Sequence, residues 1–244
     1  MKKQIFISAA TVMLLSLTGG KVFATSYPDG ISATTDAAVA FNNDAVDPEN
    51  PIPPIVDPEN PEEPGIDPED PNPNPPVDGL HLSYVSDFNF GEGSKNTTTF
   101  YAEADTVNNG ERSIVPFVAT NDSRGTDRTG WTLSAKLDAP LTNDGHELAA
   151  RLSLENLNYA IGGDHTADKA PEAASGEIVL IPGQEQVIAS ANTVQGIGSW
   201  SLALGQLNEE KTHTNGVKLV VPSTSVKNTG TYSSSLSWTL TAQP

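Results

Sequence analysis

The clearest hydrophobic pattern in the chain is a period of two near its end. Leu236, Trp238, Leu240 and Ala242 alternate with Ser237, Thr239 and Thr241. Successive side chains of a strand point to opposite faces, so this pattern predicts a strand with one buried face. The same pattern starts at Trp131, where Trp131, Leu133, Ala135 and Leu137 alternate with Thr132, Ser134, Lys136 and Asp138. A looser version runs from Trp200-Ser201-Leu202 to Leu204, so all three tryptophans stand in a Trp-x-Leu setting. The expectation is two or three strands, each pressing one Trp and one or two Leu into a shared core. Exposed, the same indoles would make a stacking platform for sugar rings. The continued alternation into Leu and Ala favours burial.

The texture that predicts strands begins at Leu80. Segments 80–88, 98–102, 113–119, 130–137, 147–157, 175–181, 186–191, 199–204, 216–221 and 231–242 are short and rich in Val, Ile, Thr, Leu and aromatics. Clusters of Gly, Pro, Asn and Asp separate them, which is the signature of an all-β sandwich or barrel. Segment 147–157 is ambiguous, because Leu148, Arg151, Leu152 and Glu155 also suit a helical turn. Asn143-Asp144-Gly145 and Asn108-Asn109-Gly110 predict tight turns with glycine available for positive φ. Pro116 lies inside an apolar run and predicts an edge or bulged strand there. The reading is one all-β, sandwich-like domain of antiparallel strands over residues 80–244, with long loops.

What precedes Leu80 has no such pattern. Met1-Lys2-Lys3, the mostly apolar run 5–17 and Val22-Phe23-Ala24 read as an export signal over residues 1–24. Residues 25–79 read as a disordered acidic spacer. Within them Asp47-Pro-Glu-Asn-Pro51, Asp57-Pro-Glu-Asn-Pro61 and Asp67-Pro-Glu-Asp-Pro71 repeat with a period of ten. Proline lacks an amide donor and fixes φ, so the tract is expected to be extended and polyproline-like. With only Ile52, Ile55 and Ile66 and few other apolar side chains, it cannot fold alone.

Charge and cysteine usage narrow the function classes. Removing the signal takes Lys2, Lys3 and Lys21 and no acid, so the formal charge of −18 deepens to about −21. A field of that sign opposes nucleic acid and anionic lipid as partners. An anionic wall polymer would repel it too, so any surface attachment needs specific contacts. The absence of cysteine removes thiol catalysis and Cys-based zinc sites. It also fits a domain large enough to do without disulfide staples.

Catalytic signatures are weak. His81, His146, His165 and His213 are scattered, and Asp164-His165 with Asp168 is the one local pair hinting at acid–base or metal chemistry. No Gly-x-Ser-x-Gly elbow, His-Glu-x-x-His helix or phosphate-binding glycine loop occurs. The acidic loop 121–127 has oxygen ligands for calcium, but Arg124 and Arg128 oppose that reading and favour a turn with local ion pairs. The chain therefore reads as a non-enzyme without cofactor or metal.

Taken together, the export signal, the acidic proline spacer and two separated Trp-x-Leu motifs resemble the WxL-domain surface proteins of low-GC Gram-positive bacteria. The stretches that carry the resemblance are Ser123-Arg-Gly-Thr-Asp-Arg-Thr-Gly-Trp-Thr-Leu133, Gly216-Val-Lys-Leu-Val-Val-Pro222, and Gly230-Thr-Tyr followed by Leu236-Ser-Trp-Thr-Leu240. The motif residues are Trp131, Thr132, Leu133, Trp238, Thr239 and Leu240, with a binding or a structural role left open. The resemblance implies noncovalent attachment to the cell wall with peptidoglycan or another wall glycan as ligand. It also implies companion membrane-anchored, WxL-interacting surface proteins as partners, and leaves room for a host extracellular-matrix protein. The chain ends at Ala242-Gln-Pro without a Leu-Pro-x-Thr-Gly sorting signal, in keeping with release or noncovalent retention. The alternatives are a purely protein-binding adhesin or complex subunit and, ranked lower, a wall hydrolase.

Overall fold

The structure, a computed structural model, describes residues 55–63, 65–66, 79–108 and 110–244. The export signal, the stretch 25–54 and the third proline repeat lie outside the described residues. Strand is the only regular element among those described. In chain order the strands are β1 (Leu80–Val85), β2 (Thr99–Glu103), β3 (Asp105–Val107), β4 (Arg112–Ile114) and β5 (Phe117–Asp122). They continue with β6 (Trp131–Leu137), β7 (Thr142–Asn143), β8 (His146–Glu147), β9 (Arg151–Leu154), β10 (Leu157–Tyr159) and β11 (Glu172–Ala173). The last five are β12 (Ile178–Leu180), β13 (Glu185–Ala191), β14 (Gly198–Leu204), β15 (His213–Val220) and β16 (Leu236–Ala242).

These strands form three four-stranded antiparallel sheets, ordered β1-β5-β14-β10, β11-β13-β6-β16 and β12-β9-β15-β2, with β3-β4 and β7-β8 as separate hairpins. The all-β expectation holds, and the ambiguous 147–157 segment is not helical: it breaks into the end of β8, the whole of β9, with the pattern exposed–buried–buried–buried, and the start of β10. Asp144 at φ 49° and Gly145 at φ 78° close the β7–β8 hairpin. Two consecutive positive φ values are what a two-residue turn needs to match the strand twist.

One core is shared by all three sheets. It takes Val118, Trp200, Leu202 and Leu204 from the first sheet. Trp131, Leu133, Ala135 and Ile188 come from the second, and Leu152, Leu154, Val217 and Leu219 from the third. The first sheet is covered on its other face as well. There Tyr84, Phe117 and Ala119 pack with Val107 and Ile114 of the β3–β4 hairpin and with Ile66.

That double cover corrects the reading of Pro116. β5 is not an edge strand: it lies between β1 and β14 and five of its six residues are buried. Pro116 falls in the break between β4 and β5, where its missing amide costs no ladder bond, while its carbonyl accepts from Leu204 N at 2.9 Å.

Of the proline tract, residues 55–63 and 65–66 lie against the β domain and are not extended away from it. Ile66 is buried in the second cluster and its amide bonds the Ile55 carbonyl at 2.9 Å. Asp57 is buried and pairs with Arg112. The few apolar side chains that cannot make a core alone find one already built by the hairpin and sheet.

Candidate functional site

The two Trp-Thr-Leu tripeptides are on neighbouring strands. β16 runs antiparallel to β6 with Leu236 opposite Leu137, Trp238 opposite Ala135, Leu240 opposite Leu133 and Ala242 opposite Trp131. Directly paired residues share a face, so the two alternations found in the sequence make one continuous apolar surface. Trp238 lies beside the small Ala135, not beside Trp131, which gives each indole its own space.

Trp131 is structural. Its residue is 0% exposed, and its indole N–H donates to the Gly196 carbonyl at 3.4 Å. Gly196 has φ 65°, and a Cβ there would sit 2.7 Å from Trp131 Nε1 and 2.8 Å from Ala191 Cβ. A glycine is needed at that place for backbone and contact alike.

The residues before Trp131 fasten it to the rest of the fold. Arg124 makes a two-pronged bond to the buried Asp122, with Nε and Nη2 each 2.8 Å from a carboxylate oxygen. The same guanidinium donates to the Gly130 carbonyl at 3.0 Å, and the Asp122 carboxylate raises its pKa. Arg128 donates to the carbonyls of Arg124, Gly125 and Thr193. Thr129 donates its hydroxyl to the Gln243 carbonyl, and Gln243 N bonds the Gly130 carbonyl at 3.1 Å. The acidic loop is thus a turn with a local ion pair, and it ties the end of β16 to the start of β6.

Trp238 is different. The sequence pattern places it in the core, as it does Trp131 and Trp200. Trp131 and Trp200 are buried, whereas Trp238 is half-buried and packs against the core from its margin. The cause is position: β16 is the outer strand of its sheet, with no hydrogen-bonded strand beyond it. Instead it opens on a groove.

That groove has a volume of ≈ 1140 Å³. One wall is the 86–95 loop, the other the 227–236 segment leading into β16, and the floor includes Leu137, Leu141, Leu148, Leu152 and Leu219. Phe88, Phe90, Phe100, Tyr232 and Trp238 all line it and all are half-buried. The rim is polar, with Ser94, Asn228, Thr229, Thr231 and Ser233. Its charges are mixed: Asp87, Glu92 and Lys95 lie on one wall and Lys227 on the other.

Both walls are held. Asn89 bonds Glu103 of β2 through side chain (2.6 Å) and backbone (2.7 Å). Gly93 packs on Phe100 so closely that a Cβ would lie 2.4 Å from the ring. On the other wall Tyr232 OH accepts from Asn228 N at 2.8 Å, and Ser234 and Ser237 bond Ala139 O and Asp138. Lys227 Nζ crosses to the Lys95 and Thr97 carbonyls at 2.7 and 3.2 Å. The groove is apolar inside with a few polar groups at the edge, the composition expected of ligand sites.

The other sequence candidates do not join it. His165 stacks edge-on against Trp200 at 4.6 Å and contacts the Ser199 carbonyl through Nε2 at 3.0 Å. Asp168 is held below the usual carboxylate range, with the nearby Thr166 hydroxyl as the main cause. Glu177 lies outside the groove. Bonds from Arg151 and Ser153, and then from Lys218, lower its pKa to about 2. Sequence reasoning missed the groove because Phe88 and Tyr232, expected within the strands 80–88 and 231–242, lie in the loops beside β1 and β16, as Phe90 does. The Asp-Phe-Asn-Phe run at 87–90, with two aromatics two residues apart, is the one signal that pointed there.

With this geometry in place, the comparison with protein families gives the class. The family model "WxL domain surface cell wall-binding" matches residues 29–244, and the chain belongs to that family. It is a cell-wall-binding surface protein, and the match takes in the proline tract as well as the β domain. Neither the comparison with curated proteins nor that with solved structures returned a match.

Proposed function

We propose that the domain holds the wall directly and noncovalently, by gripping peptidoglycan glycan in the groove beside β16. The observation that carries this reading is the set of half-buried aromatic faces, Trp238 above all, inside a groove with a hydroxyl-rich rim. A sugar ring offers an apolar C–H face and an equatorial fringe of hydroxyls. An indole plate flanked by Ser, Thr and Asn side chains matches both. Mixed charge in the groove lowers the repulsion that the chain's net charge of −18 would otherwise impose on a wall ligand. Motif residues divide accordingly: Trp131, Thr132 and Leu133 build the support, while Trp238 contacts ligand and Thr239 and Leu240 hold its strand.

The test is a pull-down of the purified chain on protein-free wall. Retention that is released by denaturant, and weakened by Trp238→Ala without unfolding, supports the reading. Absence of affinity for bare wall, with capture by companion membrane-anchored surface proteins, would replace it with a protein-binding role. Release of soluble fragments from the wall would make the domain a hydrolase instead.

A further inference from the structure

We propose that the β domain carries a second binding site, a receptor for the chain's own Val-Asp-Pro-Glu-Asn-Pro motif, and that the site accepts either of two copies. The second copy, residues 56–61, occupies it in the structure. Ser201 Oγ of β14 donates to the Val56 carbonyl at 2.5 Å. Arg112 of β4 pairs with the fully buried Asp57 side chain and reaches Glu59 Oε2 at 3.1 Å. The other Asp57 oxygen accepts from Glu59 N and Asn60 N at 2.8 and 3.1 Å, which folds the motif into a turn. The hydrogen bond that Arg112 donates to Asp57 is the leading cause of its raised pKa. Farther on, Glu62 Oε1 accepts from Gly163 N at 2.9 Å, and Ile66 enters the pocket between Tyr84, Val107, Ile114 and Phe117.

Every group held in this way within 56–61 recurs ten residues earlier, because Val46-Asp47-Pro48-Glu49-Asn50-Pro51 is the same hexapeptide. A ten-residue slip puts Asp47 and Glu49 on Arg112, the Val46 carbonyl on Ser201 and Val56 in the pocket of Ile66. Val56 keeps the amide that Ile66 uses to bond the residue-55 carbonyl. The third copy fails that test: the slip in the other direction places Pro76 there, and proline has no N–H. So two of the three repeats are competent ligands.

The slip has a countable cost. It loses one methylene in the pocket, about a fourfold effect, and the packing of Ile55, whose place Ala45 takes. It also loses the Glu63 amide bond to the Asn60 carbonyl, since Pro53 stands there, and the Glu62 bond, since Ile52 stands at that place. The tether to Leu80 lengthens from residues 67–79 to 57–79, about a twofold loss of effective concentration. The first copy then occupies the site on the order of a hundredth of the time or less. Tethering also keeps the exchange within one chain, because an effective concentration near ~1 mM exceeds that of a second molecule in dilute solution.

The chain has no cysteine, so engineered disulfides report the register. A Cβ at Gly162 lies 2.9 Å from Glu62 Cγ, where the sulfur of a cysteine at 62 would sit. Glu62→Cys with Gly162→Cys therefore closes in the observed register. Ile52→Cys with Gly162→Cys closes in the slipped one. Under mild oxidation the second pair should close slowly in the otherwise unchanged full chain. It should close at least fivefold faster when Asp57→Ala disables the resident copy. Adding Asp47→Ala to that variant should return the rate to slow, as should Arg112→Ala. Fast closure that ignores Asp47→Ala means random collision and overturns the proposal. Crosslinked dimers in place of monomers would overturn the exchange within one chain.

Discussion

Trp131→Ala and Trp238→Ala form a matched pair that separates support from contact. Trp131 is fully buried, so truncation leaves a cavity as well as lost transfer energy, about 3–5 kcal/mol. For a domain stable by roughly 5–15 kcal/mol that is a large share. At about 2–4 °C per kcal/mol for a domain of this size, Tm should fall by about 10 °C. Trp238 is half-buried on an outer strand. Its truncation costs about 1 kcal/mol, near half the value for a fully buried large side chain, and lowers Tm by about 3 °C. If Trp238 stacks on ligand, a contact worth ~1.5 kcal/mol is lost, which is about tenfold in affinity.

The assay is wall pelleting and thermal unfolding on the same two proteins, with pelleting done well below both transitions. Trp131→Ala should then bind like the parent although it melts early. Trp238→Ala should melt nearly like the parent and bind about tenfold more weakly. Loss of binding by a folded Trp131→Ala, with normal binding by Trp238→Ala, would refute the division of roles. Equal destabilisation by both substitutions would refute the burial argument beneath it.

Further predictions follow from the supports. Arg124→Ala leaves Asp122 buried without its partner and should cost about 3 kcal/mol, the low end for a broken buried pair, because Arg124 keeps 19% of its side-chain surface exposed. Adding Asp122→Asn should recover part of that loss in urea unfolding. Gly196→Ala should destabilise by at least the ~1–3 kcal/mol of an unfavourable positive φ, and by more than Gly145→Ala, whose added methyl meets nothing within 4 Å. Glu177 has a folded pKa lowered from 4.5 to about 2. Its stabilising contribution is therefore complete above pH 4.5 and lost as pH falls toward 2. Glu177→Gln should make Tm fall less steeply across that window than in the parent.

The longer strands were legible because each carries its own pattern, whereas the short β3, β7 and β11 fall outside every expected segment. β6 and β16 show strict alternation, and the turn at Asp144-Gly145 supplies its own positive φ residues. Pairing is a tertiary fact and was not legible. Nothing local to Pro116 says that β5 lies between β1 and β14, and an apolar run broken by proline reads as an edge until its neighbours are known. The groove was hidden for a related reason: Phe88, Phe90, Phe100 and Tyr232 come from separate stretches, and only the closure of the sheets brings them together. The docking of 56–61 was hidden by composition. Proline and acid counts describe what a segment does alone, and Asp57 is held by an arginine 55 residues away.

The same tripeptide can therefore have two jobs because burial belongs to the strand's place in the sheet. β6 has neighbours on both sides, β13 and β16, so its inward face is closed and Trp131 can only fill volume. β16 has one neighbour, so the identical alternation yields a face closed on one side and open on the other. An indole at that boundary keeps enough contact to be rigid and enough exposure to meet a ligand. Fixing that boundary requires the strand end to stay put, which the Gln243 bonds to Gly130 and the Arg124–Asp122 pair accomplish. The residues flanking the first tripeptide thus hold the second one in register. Weakening them should loosen β16 and reduce wall binding without touching any residue of the groove. Arg124→Ala offers the direct check: hydrogen exchange at Thr239 and Thr241 should quicken in a folded sample, with wall affinity falling alongside. Unchanged protection of β16 in that variant would show that the loop secures Trp131 alone.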